Sequence, residues 1–198
     1  MRKDLVHKNE RGILHRTDGP AITTADGGEY WYFEGLLHRE DGPAVILPDG
    51  TEVWWKNGEI HREDGPAVKL SDGTLQWYLN GKIHNDHGPA ILYKNGDLEW
   101  WKNGKIHRED GPAYMGADGT MEWWLEGKRH RKNGPAIEYP DGRKEFFLHD
   151  IDQHGEDPSL TLHCQGNDPL EKARDEHFHQ EKRKKHQQNN PFHGMKPF

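Results

Sequence analysis

The sequence predicts an all-β protein: an elongated, twisted antiparallel meander of six 23-residue repeats, followed by a partly helical, disordered C-terminal tail. Three observations support this fold class. They are a 23-residue period without insertion or deletion, turn dipeptides at fixed places in every period, and an aromatic pair between the turns. Prolines and glycines recur too often for helices to fit between them.

The period is visible in three sets of residues. Histidine recurs at His15, His38, His61, His84, His107 and His130. Each of these is followed four and five residues later by Gly-Pro, at 19–20, 42–43, 65–66, 88–89, 111–112 and 134–135. The aromatic pairs are Trp31-Tyr32, Trp54-Trp55, Trp77-Tyr78, Trp100-Trp101, Trp123-Trp124 and Phe146-Phe147. Six copies at one constant step indicate a repeat array.

Turn chemistry divides each repeat into strands. Asp49-Gly50 and Asn57-Gly58 are dipeptides that accept positive φ, as two-residue hairpin turns require. Proline removes a ladder hydrogen bond, so Gly-Pro is expected at a strand start or a bend. We therefore predict two to three short strands per repeat.

Alternation separates the two aromatic residues of each pair, because neighbours in a strand point to opposite faces. The first aromatic residue shares its face with a column that becomes apolar in the middle repeats, at Leu75, Leu98 and Met121. This face is the predicted core. The second aromatic residue lies in a polar setting and is expected to be half exposed.

Changes in the pattern along the chain predict four segments. Residues 1–11 form an N-terminal cap, in which Lys8 and Asn9 take the positions of the aromatic pair. Residues 12–149 are the six-repeat sheet. Residues 150–166 are a degenerate seventh repeat that closes the sheet edge. Residues 167–198 form a charged helix and a disordered tail, since they lack an apolar stripe.

Composition excludes several classes of protein. The 198 residues include 31% apolar residues, one cysteine and a net charge of -7. No stretch is apolar or long enough to span a membrane or to serve as a signal peptide. One cysteine forms no internal disulfide, and the acidic balance does not indicate specific nucleic-acid binding. We expect a soluble, cytoplasmic protein.

The Asp-Gly, aromatic-pair, Asn-Gly, His pattern resembles the MORN repeat group of β-hairpin modules. More closely, it resembles a divergent branch with His-Arg-Glu-Asp-Gly-Pro-Ala units, found in large DNA viruses, phages and bacteria. The resemblance covers about residues 8–148 and is fullest at 38–44, 61–67 and 107–113. It implies a β-sheet scaffold for protein contacts or self-association, and no catalytic residues.

The His-Arg-Glu-Asp segment is interpreted as a turn motif. A catalytic site needs one asymmetric constellation, whereas these groups recur along a surface. We expect Asp to bond to backbone amides, Gly to take an unusual φ, and Arg to pair with an Asp. The fourth copy supports the pairing, because Asn85 replaces Arg and His87 replaces Asp there.

The spacing of the histidines does not favour a metal site. Equivalent histidines of successive repeats should lie roughly 10 Å apart, too far to share a zinc ion. The local group His84, Asp86 and His87 is the one weak metal candidate and the one candidate for an enzyme site. No cofactor is predicted.

The candidate binding residues are the second aromatic column and the C-terminal Pro-Phe. Rings at regular spacing can stack on sugars, bases or quaternary ammonium groups, and a terminal Pro-Phe carboxylate is typical of short docking motifs. These residues are Tyr32, Trp55, Tyr78, Trp101, Trp124, Phe147, Pro197 and Phe198.

The predicted function is a non-enzymatic scaffold that binds a protein partner or a second copy of itself. The viral resemblance implies a host-directed inhibitor in the host cytoplasm. The alternative function is sequestration of a nucleotide or sugar by exposed aromatic rings.

Overall fold

The computed structural model describes residues 3–152 as a succession of 25 two-residue strands. In chain order these are β1 Leu5–Val6, β2 Ile22–Thr23, β3 Glu29–Tyr30, β4 Tyr32–Phe33, β5 Leu36–Leu37, β6 Val45–Ile46, β7 Glu52–Val53, β8 Trp55–Lys56, β9 Glu59–Ile60, β10 Val68–Lys69, β11 Leu75–Gln76, β12 Tyr78–Leu79, β13 Lys82–Ile83, β14 Ile91–Leu92, β15 Leu98–Glu99, β16 Trp101–Lys102, β17 Lys105–Ile106, β18 Tyr114–Met115, β19 Met121–Glu122, β20 Trp124–Leu125, β21 Lys128–Arg129, β22 Ile137–Glu138, β23 Lys144–Glu145, β24 Phe147–Leu148 and β25 Ile151–Asp152. These residues contain no helix, and so none that could cross a membrane.

Thirteen strands form one antiparallel sheet, in the order β1-β2-β3-β6-β7-β10-β11-β14-β15-β18-β19-β22-β23. The other strands form six separate hairpins, from β4 with β5 to β24 with β25. The predicted all-β antiparallel meander is therefore confirmed. Each 23-residue step holds four strands rather than two or three, because a hairpin is inserted after every second strand of the sheet.

The hairpins close on two-residue turns in which both residues have positive φ. Asn57 (φ 52°) and Gly58 (φ 81°) join Lys56 to its partner Glu59. This matches the expectation for Asn-Gly, because Asn and Gly tolerate left-handed backbone with little strain.

The Asp-Gly dipeptides do not form two-residue turns. The Leu47 N–H donates to the Thr51 carbonyl at 2.9 Å, so three residues, 48–50, lie between the paired positions. Only Gly50 of the three has positive φ, at 89°. Asp49 instead accepts a hydrogen bond from the Thr51 N–H at 2.9 Å, which fixes the turn.

The core lies on the face of the sheet opposite to the predicted one. On that face Val45, Val53 and Val68 are buried and pair across adjacent strands. The same face buries Gln76, Glu99 and Glu122, and these polar residues are the reason why the sequence suggested an exposed face. The alanines of every Gly-Pro-Ala are also fully buried, each directly before the first strand of its repeat, at Ala21, Ala44, Ala67, Ala90, Ala113 and Ala136.

The hairpins contribute apolar side chains to this core. In the last repeat, Phe147 of β24 packs against Ala136 and Ile137, beside the partly buried Tyr139. Leu37 and Ile60 of the hairpins are also buried. The second aromatic residue of each pair thus lies on the core side.

The N-terminal segment is offset by one residue from the predicted alignment. The His7 N–H donates to the Ala21 carbonyl at 2.7 Å, as the Trp31 N–H does to the Ala44 carbonyl. His7 and Lys8, rather than Lys8 and Asn9, therefore occupy the positions of the aromatic pair. The cause is one extra residue in the turn between Lys8 and its partner Leu14.

The predicted seventh repeat lies outside the described residues from position 153 onward, and the predicted helix and tail lie wholly outside them.

Candidate partner-binding face

Five apolar side chains lie opposite one another on five adjacent strands, on the face away from the core. Leu75 pairs with Leu92, Leu92 with Leu98, Leu98 with Met115, and Met115 with Met121. All five are partly exposed. We call them the apolar row; at about 4.8 Å between strands it extends for roughly 19 Å.

Charged pairs bound the apolar row at both ends. At one end Lys69 lies 3.4 Å from the Glu52 carboxylate. At the other end Arg131 donates to the Glu138 carboxylate at 2.6 Å. An apolar patch with a charged rim is typical of a protein-binding surface rather than of a bare sheet face.

A second row of side chains lies beside the apolar row on the same face. It consists of the first aromatic residue of each of the first five pairs, and we call it the tryptophan row: Trp31, Trp54, Trp77, Trp100 and Trp123. Lys69 shows that the two rows share a face, because its Nζ contacts Glu52 and also lies 4.8 Å from the Trp54 ring centroid. All five rings are partly exposed.

Arginines cover four of the five rings of the tryptophan row. The guanidinium carbon lies 4.2 Å from the ring centroid for Arg39 over Trp31 and 4.3 Å for Arg62 over Trp54. It lies 4.2 Å away for Arg108 over Trp100 and 3.7 Å for Arg131 over Trp123. Such a cation–π contact contributes about 0.5–2 kcal/mol, depending on its exposure.

The same arginines hold the turns that carry them. Arg62 Nε donates to the Asp64 carboxylate at 2.7 Å, and a second guanidinium nitrogen donates to the Pro66 carbonyl at 3.4 Å. Arg39 and Arg108 make the same two bonds. The predicted pairing of Arg with Asp is thus confirmed, within the same turn.

These bonds have electrostatic and steric consequences. Hydrogen bonding and the positive charge of Arg62 hold the pKa of Asp64 below its usual value. At Gly42 glycine is needed for space rather than for the unusual φ that we expected, since a Cβ there would lie 3.0 Å from the Arg39 guanidinium carbon. Gly134 has the expected positive φ, at 140°.

The fourth turn segment, residues 84–89, departs from this pattern. Asn85 donates to the Pro89 carbonyl at 2.9 Å, and its own side-chain oxygen accepts a bond from the His87 N–H at 3.0 Å. Asparagine thereby holds the turn without a guanidinium. Within the described part of the chain, Trp77 has no cation over its ring.

The histidines connect one repeat to the next. His38 Nδ1 accepts a hydrogen bond from the Asn57 N–H at 3.1 Å, and His84 Nδ1 accepts one from the Asn103 N–H at 3.2 Å. His15, His61 and His107 accept equivalent bonds. This geometry is consistent with the structural role predicted for the histidine column.

The weak metal candidate is occupied by internal bonds. His84 Nε2 lies 3.0 Å from the Asp86 carboxylate, and this contact lowers the pKa of Asp86. His84 Nδ1 is the acceptor for Asn103. Residues 3–152 hold no group of three or more His, Cys, Asp or Glu side chains able to bind a metal ion.

The second aromatic column is less exposed than expected. Tyr32, Trp55, Trp101 and Trp124 are partly buried, and Tyr78 and Phe147 are buried at 5% and 2% exposure. The indole N–H groups of Trp101 and Trp124 donate to the buried carboxylates of Glu99 and Glu122, each at 2.8 Å. Pro197 and Phe198, the remaining candidates, lie outside the described residues.

Sequence reasoning missed two of the five residues of the apolar row. Leu92 and Met115 lie on the first strand of their repeats, and the alternation argument used only the second strand. The signal was present in the column Thr23, Ile46, Lys69, Leu92, Met115, Glu138, which is apolar at Leu92 and Met115 in the same repeats as Leu98 and Met121.

No model of a known protein family matches the chain, and a search of curated proteins finds no match either. The likeness to MORN-type repeats therefore stays a hypothesis drawn from the residues themselves.

Proposed function

We propose that this chain is a non-enzymatic repeat scaffold that binds another protein through the apolar row and the tryptophan row beside it. The observation that carries the proposal is the cross-strand run from Leu75 to Met121, partly exposed and closed at each end by a charged pair. Leucine and methionine at the centre of a charged rim are the composition expected of a binding patch.

The repeated polar groups support a binding role over catalysis. Turn aspartates such as Asp64 are bonded to arginines, and histidines such as His38 accept backbone N–H bonds. Groups engaged in holding the repeats together are poorly placed to serve as acids, bases or nucleophiles, which need a reacting atom within hydrogen-bond reach.

The cellular setting is part of the same proposal. A chain with one cysteine is suited to a reducing compartment, and we place the scaffold in the cytoplasm. The resemblance to repeats of phages and large DNA viruses favours a host protein as the partner, with inhibition or sequestration as the effect.

The chain itself supplies a variant that tests the face without disturbing the fold. Leu98 and Met115 pair across two strands in the same register as Glu52 and Lys69. The double substitution Leu98→Glu/Met115→Lys therefore copies a native ion pair into the middle of the apolar row. The reverse substitution, Glu52→Leu/Lys69→Met, extends the row by two strands.

The measurement is capture of proteins from the native cell by the immobilised full-length chain. We expect a specific partner that is lost with Leu98→Glu/Met115→Lys and retained with Glu52→Leu/Lys69→Met. Leu36→Glu serves as a control, because Leu36 is an exposed apolar residue of β5 outside the row. Equal capture by all variants would contradict the proposal, and loss of a dimer in solution with the first variant would identify a second copy as the partner.

A further inference from the structure

Among residues 3–152, Trp77 is the one ring of the tryptophan row that has no cation over it. Trp31, Trp54, Trp100 and Trp123 each carry an arginine guanidinium within 4.3 Å of the ring centroid. The residue that should cover Trp77 is Asn85, whose side chain is too short to reach as far as a guanidinium.

Asn85 leaves the space above the turn partly open. A Cβ on Gly111 would lie 3.0 Å from the Arg108 guanidinium, whereas on Gly88 the nearest atom is Asn85 Nδ2, at 3.9 Å. The asparagine nevertheless keeps the turn in place through the Pro89 carbonyl. The fold around Trp77 is thus retained while the cation is missing.

The fourth turn segment cannot supply this cation from an arginine of its own. Asn85 replaces the arginine, and His87 replaces the aspartate that elsewhere holds it. Trp77 also lies two residues from Leu75 of the apolar row and shares its face. A cation delivered by a protein lying on the apolar row would meet this ring.

We propose that the Trp77 ring is a receptor for an arginine side chain of the partner protein. The chain itself supplies the reason for arginine, since it places a guanidinium on each of the four equivalent rings. The incoming side chain would complete in trans the contact that Arg108 makes in cis over Trp100. This inference rests on the proposed function and names the chemistry of its partner.

Two double variants test the contact in opposite directions, one by adding an arginine over Trp77 and the other by removing the arginine over Trp100. Asn85→Arg/His87→Asp restores the ordinary turn and should cover Trp77 from within the chain. Arg108→Asn/Asp110→His copies the asparagine and the histidine of the fourth turn segment into the fifth and should uncover Trp100. Each exchange uses a pair of residues that another turn of the chain already carries at these two positions, so we expect the fold to be retained.

The probe is N-acetyl-arginine methylamide, followed by the indole ¹H–¹⁵N NMR signal of each tryptophan. We expect a saturable shift at Trp77 that the neutral citrulline analogue does not cause. The shift should be lost in Asn85→Arg/His87→Asp, and a second one should appear at Trp100 in Arg108→Asn/Asp110→His. An equal response to citrulline, or a Trp77 shift that persists in the first variant, would overturn the inference.

Partner binding separates this inference from the broader proposal. Filling the position with Asn85→Arg/His87→Asp should weaken binding of the captured partner roughly 2- to 30-fold, the range of a cation–π contact. A partner that is lost with Leu98→Glu/Met115→Lys, yet binds this variant as tightly as the wild type, would overturn the arginine receptor and leave the scaffold proposal intact.

Discussion

His38 Nδ1 and the backbone N–H of Asn57 form a 3.1 Å hydrogen bond between consecutive repeats, across 19 residues of sequence. The bond recurs at the same separation along the array, from His15 with Glu34 to His107 with Glu126. It stops at His130, whose buried Nδ1 has no hydrogen-bond partner among residues 3–152. The array thus contains histidines that make this bond and one histidine, His130, that does not and can serve as the control.

Replacing His38 by leucine should lower the free energy of unfolding by about 1 kcal/mol more than replacing His130 does, since only His38 loses a hydrogen bond. The measurement is urea unfolding followed by tryptophan fluorescence. Equal losses in the two variants would show that the histidines act through packing alone.

Adding a methyl group to a turn glycine should lower the free energy of unfolding only where an arginine lies above that glycine. Gly111→Ala places a Cβ 3.0 Å from the Arg108 guanidinium, and we expect a loss of about 1–3 kcal/mol. Gly88→Ala has 3.9 Å of clearance and the same following proline, so it should be neutral, or stabilising by about 0.4–1 kcal/mol. In an Arg108→Ala background the penalty at Gly111 should disappear, and its persistence would rule out the steric explanation.

Acid should destabilise the array through the turn aspartates. The arginine beside each of Asp41, Asp64 and Asp110 lowers the pKa of that carboxyl, chiefly by hydrogen bonding. Because the folded pKa lies below the unfolded value of about 3.9, this stabilisation is present above that value and is lost as the pH falls through the folded pKa. The triple variant Asp41→Asn/Asp64→Asn/Asp110→Asn should show a smaller drop in urea midpoint from pH 5 to pH 2 than the wild type. Parallel curves would contradict this assignment.

Alkali should act through Tyr78. Burial raises the pKa of its phenol to about 12, so the folded state favours the neutral form. The stabilisation is complete below the unfolded pKa of about 10 and is lost as the pH rises from there to the folded value, by roughly 2–3 kcal/mol. Tyr78→Phe should unfold like the wild type at pH 8 and be more stable than it at pH 11.5. A wild type that loses no more stability than the variant would show that the phenol reaches solvent.

The repeat fold was predictable because its signals are local and repeated. The Asn57-Gly58 turn and the opposite faces of Trp54 and Trp55 follow from φ preference and strand alternation, and the Arg62–Asp64 pair follows from charges that are exchanged together in the fourth segment. Each of these depends on residues within one 23-residue step.

The choice of core face was wrong because burial depends on which side chains the strand register brings together, and not on the polarity of each position taken alone. Glu122 looks like a surface residue, yet it is fully buried because the Trp124 indole N–H donates to its carboxylate. Val45 and Val68 lie on the strands that flank Val53, and their contribution appears only once the register is known. The missing arginine at Asn85 was visible in the sequence, but the ring that it leaves uncovered was not.

The constant register between steps has one more consequence. Excising residues 45–67 would bring β3 against β10 in the pairing that β3 now makes with β6, and would leave His38 at its usual distance from a turn amide, now that of Asn80. The molecule can therefore shrink or grow by whole multiples of its period without reversing any side chain from one surface to the other. The length of its contact surface therefore changes in whole repeats, and gene duplication or deletion in units of 69 nucleotides would be enough to lengthen or shorten it.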